Sequence, residues 1–243
     1  GNADLDGGTV SGDIVNSGDV VGTKPLTVGA GQKLTITGKG YVSPSIVNDG
    51  GEVTLKDEAL VRGTVSNTGA GTLNVEGGEV SGKVTNNSGA SVNVAGGTLA
   101  GSLDNGGTAA ISGGTVNADI NNASTMALSG VTVNGDLANA GALTLGDGVT
   151  LAGDVVENGE DGTISGSALT VDSGTSMFNE GIISAKTVTV NGALENEKGG
   201  TITKDSTLTN NGRLTNAGIV ASSSLSNTGT LTNQSKGEIS SAA

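Results

Sequence analysis

Three aspartates stand at equivalent places in the chain. Asp119, Asp136 and Asp154 occur in NADI, NGDL and AGDV, each directly before an aliphatic residue. Segments laid one above another would turn them into an outward column of carboxylates about 5 Å apart, repelling by roughly 1 kcal/mol per pair at the dielectric constant of water. Such a column is either a solvated face, screened within about 8 Å at physiological salt, or a seat for a cation such as Ca²⁺, whose sites are built from carboxylate and carbonyl oxygens. Lys83 and Ser102 take the same place in the two preceding segments, so the column is local. No cofactor other than Ca²⁺ is suggested. A second set of carboxylates, Glu157 with Glu160 or Asp161, has the residue types of a polysaccharide-cleaving pair. The rest of such a site is thin, because the chain has no Trp, one Tyr (Tyr41), one Phe (Phe178) and only Arg62 and Arg213 as arginines. Without His or Cys, thiol nucleophiles and imidazole acid–base catalysis are excluded. We expect contact, not catalysis.

The elements that position these residues form a repeat. In GTLNVEGGEVSGKVTNNSGASVNV (71–94), apolar Leu73, Val75, Val80 and Val84 alternate with small polar residues, and Gly77, Gly78, Gly82 and Gly89 mark turns. The same positions return as Val92, Val94, Leu99 and Leu103, then Ile111, Val116 and Ile120, then Leu128, Val133 and Leu137, then Leu145, Leu151 and Val155. An Asn closes most copies, at Asn48, Asn67, Asn86, Asn105, Asn122, Asn139 and Asn158, in steps of 17 to 19 residues. A period of this length marks a solenoid. Three short strands per copy, with no room for a crossover helix, give an all-β parallel β-helix of about 17–20 residues per coil. About 12 coils at the spacing of about 4.8 Å between paired strands would make a rod on the order of 55 to 60 Å long. The Asn side chains are expected to stack as an amide ladder.

Composition agrees. With 44 Gly and two aromatic residues in 243, an aromatic globular core is not available, and stability must be summed from thin aliphatic layers and the interfaces between coils. Pro25 and Pro44 are the only prolines, and both precede the regular copies, as an uninterrupted backbone ladder requires. The net charge of −13 argues against nucleic acid and anionic lipid as partners. No apolar run approaches a membrane span, so insertion by this segment is not expected, and Gly1-Asn2-Ala3-Asp4 is no signal peptide; an excised segment is the favoured reading. Between residues 84 and 185 there is no Lys or Arg, against ten acidic residues.

Along the chain, residues 1–49 hold irregular copies, 50–192 regular β-helix with longer connections after 158, and 193–243 a shorter-coil part of the same β-helix. In the last, LTNNGRLTNAGIV and LSNTGTLTNQSKGEI place Leu or Ile five to eight residues apart. Leu169, Val171, Val188 and Val190 are expected inside, with Met177 and Phe178 on a corner between them. The connections at 158–162 and 172–181 are the loops to watch, since solenoid function gathers on such connections.

Segments such as VNSGD (15–19), TNNSGASVNVAGGTLAG (85–101) and LTNNGRLTNAGIV (208–220) resemble the passenger domains of bacterial autotransporters, in particular the self-associating adhesin type. Large two-partner-secreted exoproteins share the same repeat style. The resemblance implies a right-handed β-helix, export through a C-terminal barrel that this sequence does not contain, and a place at the Gram-negative cell surface or in the secreted fraction. It also implies rods meeting lengthwise through polar and charged ladders. Asp119, Asp136, Asp154, Asn122 and Asn139 are the candidate interaction face, toward a second copy or a host or bacterial surface ligand. An antiparallel, offset pair would set Lys24, Lys33, Lys39, Lys56, Arg62 and Lys83 at one end, and Lys186, Lys198, Lys204, Arg213 and Lys236 at the other, against the acidic middle. A passive stalk presenting another domain is the alternative.

Overall fold

A computed structural model describes residues 2–4 and 7–241. Gly1, Leu5, Asp6, Ala242 and Ala243, in the first and last of the predicted parts, lie outside the described residues. Among those described there is no helix, and the strands pair in parallel as a β-solenoid of about 12 turns with about 19 residues per turn. Two compact units are present, residues 1–120 and 121–243.

In the first unit one coil serves for all. Glu79–Val80, Val84–Asn86 and Ser91–Val94 form its three faces. They pair with Thr98–Leu99, Leu103–Asn105 and Thr108–Ile111 of the next. The register sets Val80 on Leu99, Val84 on Leu103, Asn86 on Asn105, Val92 on Ala109 and Val94 on Ile111. Because strand side chains alternate between faces, the aliphatic members all point inward, and each of these is at most 1% exposed. Each fully buried Val or Leu contributes about 1.5–3 kcal/mol. In three successive coils the corner before the first face uses a left-handed glycine, where the coil before them has Ala59. Gly78, Gly97 and Gly114 have φ of 72°, 72° and 76°, in the left-handed region that a side chain disfavours. A Cβ on Gly97 would also run into the carbonyl oxygen of Gly78 in the coil before.

The second unit begins with the same coil, and its first face has two-residue strands at Thr132–Val133 and Thr150–Leu151. It then changes type. Ala168–Val171, Thr187–Val190, Thr207–Asn210 and Ser224–Asn227 form a separate four-stranded sheet. Leu169, Val171, Val188 and Val190 are buried in it as expected. Met177 and Phe178, however, are not on a corner. They lie in the strand Ser176–Asn179, with Met177 buried and Phe178 outward. Nor do the coils become smaller after residue 193. Successive ladder asparagines stay 20 and 17 residues apart, at Asn196, Asn216 and Asn233. The close spacing of leucines arises because two faces of one coil, TLTN (207–210) and RLTN (213–216), carry the same pattern.

Candidate binding groove

Asp119, Asp136 and Asp154 are exposed, as expected. They do not all share one register. Leu137 pairs with Val156, so Val155 and not Asp154 stands opposite Asp136, and the Val155 amide donates to the Asp136 carboxylate at 2.9 Å. Val156 is the inward residue, only 3% exposed, where the repeat suggests Val155. The extra residue breaks the column between Asp136 and Asp154. Among the described residues no group of three or more His, Cys, Asp or Glu is placed to hold a metal ion.

Asn122 and Asn139 are 1% exposed and do not present side chains outward, which corrects their place on the interaction face. They belong to the internal amide ladder. Asn48 donates to Asn67 at 2.7 Å, Asn67 to Asn86 at 2.9 Å and Asn86 to Asn105 at 2.8 Å. In the second unit Asn122 donates to Asn139 at 2.7 Å, Asn139 to Asn158 at 2.8 Å, and the line continues through Asn179, Asn196 and Asn216 to Asn233. Each Nδ2 points to the Oδ1 of the following rung, so a first rung keeps an oxygen that no amide above can reach. Asn48 sits beneath Val28, Asn210 begins a second ladder beneath Val190, and both Oδ1 atoms are buried without a partner.

The ladder positions an outward groove in the second unit. Residues before and after each ladder Asn face solvent by strand alternation. On the preceding side Ala138, Glu157, Phe178 and Glu195 stack in register on successive coils. On the following side lie Ala140, Gly159, Glu180 and Glu197. Where these residues are small, the surface is hollow. Asn121, Ala123, Ala138, Ala140 and Gly159, with the buried Asn122, Asn139 and Asn158, line a depression of about 610 Å³ walled by Glu157, Phe178, Glu180 and Glu197. A smaller hollow of about 190 Å³ follows on the same side, between Glu195, Glu197, Lys198, Thr215, Ala217 and Gln234. Burial above all, then the neighbouring charge of Glu180, pushes the Glu197 carboxyl above the ordinary glutamate range; a hydrogen bond with Glu180 and the charge of Glu195 act in the same direction.

The groove thus gathers an apolar floor, one ring and several carboxylates. Of the paired carboxylates considered for polysaccharide cleavage, only Glu157 lines it; Glu160 and Asp161 belong to the turn that follows. The sequence offers no motif that joins Phe178, Glu180 and Glu197; their position beside a ladder Asn is the signal that gives each an outward side chain. Many of the cations counted for rod pairing are already engaged within the chain. Lys33 meets Glu52 at 2.9 Å, Lys39 meets Glu58 at 3.8 Å, Lys56 meets Glu76 at 3.2 Å and Lys83 meets Asp104. Arg213 meets Glu195 at 2.7 Å. All five pairs join successive coils.

The model of one family, the BigA fourth domain, matches residues 160–243, about a third of the chain. That segment begins just before the four-stranded sheet and contains all of it. No curated protein and no solved structure matches the chain.

Proposed function

We propose that this chain is a contact-making segment of a bacterial surface adhesin, a passenger β-helix held at the cell surface or in the secreted fraction. The single observation that carries the reading is the match of residues 160–243 to a domain of a bacterial surface protein of adhesin type, on a chain whose fold is a β-solenoid. The groove supplies a surface suited to contact. Its outward residues sit on a stack of parallel strands that hold their spacing from coil to coil, so a partner meets a fixed surface with little ordering left to do. The work is binding and presentation and does not involve a reaction or a cofactor. The test is display of the chain on cells that do not otherwise adhere, on the same export scaffold that carries an inert solenoid as control. Attachment to host-cell monolayers or to other bacteria above that control is expected; attachment equal to the control rejects the adhesin and leaves a stalk.

Rod-to-rod self-association is a second reading, favoured by exposed polar ladders such as Asn93 on Asn74 at 3.0 Å and Thr228 on Asn211 on Asn191, each at 3.0 Å. Sedimentation velocity at several concentrations, at low and high salt and with and without Ca²⁺, decides it. A second copy offers polar ladders, but several of its cations would have to leave ion pairs within their own chain. Exposed pairs of this kind contribute only about 0–1 kcal/mol, so exchange is cheap and salt should weaken association. A strict monomer in all conditions removes this reading and leaves contact with a different molecule.

A further inference from the structure

The groove walls point to a partner of definite chemistry. Phe178 has Glu157 opposite it on the coil before and, on the coil after, Glu195, which Arg213 already pairs at 2.7 Å. Glu180 is two residues along the same strand direction, and therefore on the same side. The chain's one phenylalanine is thus set among carboxylates instead of in the core, where an apolar ring ordinarily lies. Negative charge around a ring face favours a cation seated on that ring, because the ring quadrupole and the carboxylates attract it together. Coils between residues 84 and 185 contain no Lys or Arg, and Glu157 and Glu180 both belong to that stretch. The alanine floor adds room for an aliphatic stem beside the charge, as the side chains of Lys and Arg possess.

We infer that this groove docks a basic segment of a partner protein, with a Lys or Arg side chain on Phe178 between Glu157 and Glu180 and its stem along the floor of Ala138 and Ala140. This rests on the contact reading and names the partner chemistry. Successive coils present carboxylates about 4.8 Å apart, so an extended peptide running across the strands would meet a second carboxylate, Glu197, after one or two residues.

The experiment uses the full chain and a fluorescein-labelled nonapeptide of alternating Arg and Ser, followed by fluorescence anisotropy at about 50 mM salt. A nonapeptide of alternating Glu and Ser and the polyamine spermine are the comparison probes. Two triple variants remove the same number of charges: Glu157→Gln/Glu180→Gln/Glu197→Gln in the groove, and Asp13→Asn/Asp147→Asn/Asp205→Asn at exposed positions outside it. The basic peptide is expected to bind the parent chain and the second variant alike, to lose about tenfold or more in affinity on the first, and to lose about threefold or more on Phe178→Ala. Thermal melts of all variants check that the fold survives, which outward positions should ensure. Equal loss on the two triple variants would mean attraction to net charge alone and overturns the site. So would equal binding of the Glu peptide, undiminished binding to Phe178→Ala, displacement by spermine at the concentration of free peptide, or no binding of the basic peptide. If cells displaying the parent chain still adhere while the basic peptide fails to bind, the inference falls and the adhesin reading stands.

Discussion

A buried amide oxygen at Asn48 states the ladder's logic at the scale of one residue. Since each rung donates downward, removing an internal rung leaves the next Oδ1 without its donor, whereas removing the first rung moves an existing orphan by one position. Asn139→Val should therefore cost about 1–3 kcal/mol more than Asn48→Val, the penalty of one newly unsatisfied buried acceptor. Urea denaturation of the two variants measures the difference, and equal costs would mean that the ladder has no polarity. Two carboxyl groups respond to pH in opposite senses. Asp57, the one non-glycine with positive φ among the described residues, accepts from the Thr37 hydroxyl at 2.6 Å and the Gly38 amide at 2.9 Å, and these hold its carboxyl below the usual range. Its contribution is present above the unfolded-state pKa and is lost as pH falls through the folded value. Glu197 is raised, so its contribution is present below the unfolded-state pKa and is lost as pH rises through the folded value. Glu197→Gln should raise the melting temperature at pH 7 and leave it unchanged at pH 3. A lower melting temperature at pH 7 would contradict the burial of Glu197 and the crowding of Glu180 and Glu195 on it.

At the scale of the element, much of the coil was legible. The alternation that put Leu73, Val75 and Val84 inside holds without exception for those residues, and the Asn steps gave the ladder. The same alternation reaches further. Leu137 and Asn139 are two apart and share a side, so Asn139 had to point inward with the leucine. Phe178, between Met177 and Asn179, had to point out. A 19-residue step from Leu137 likewise selects Val156 over Val155. What was not legible is the change of first face at Ala168–Val171, because two consecutive faces with the pattern x-L-x-N look in sequence like two short coils. Depth in the groove was hidden as well, since it comes from alanines whose neighbours on adjacent coils are about 20 residues away. The corner at Gly78, Gly97 and Gly114, by contrast, is read from its glycines. Gly97→Ala imposes left-handed strain of about 1–2 kcal/mol and pushes on the Gly78 carbonyl. A loss of several degrees in melting temperature is expected, and a loss no greater than for an alanine at Ser91, an exposed-side strand position, would argue against the corner geometry.

For the whole molecule, stability is a sum over neighbouring coils. Val94 lies between Val75 and Ile111 and is 1% exposed. Val94→Asp buries an unpaired carboxylate, a change at the severe end of single substitutions. Hydrogen exchange should show protection lost in 72–75, 91–94 and 108–111 and kept in 187–190 and 207–210; uniform loss would mean that the chain unfolds as one block. The function proposed above is, at this scale, contact made by outward side chains whose spacing the coils fix. The most direct measurement is competition: cells displaying the chain attach to their target in the presence of increasing soluble chain. Attachment should fall in proportion to the added parent chain and stay unaffected by the Glu157→Gln/Glu180→Gln/Glu197→Gln chain. Attachment that persists at saturating parent chain would place the contact outside this segment and contradict the account.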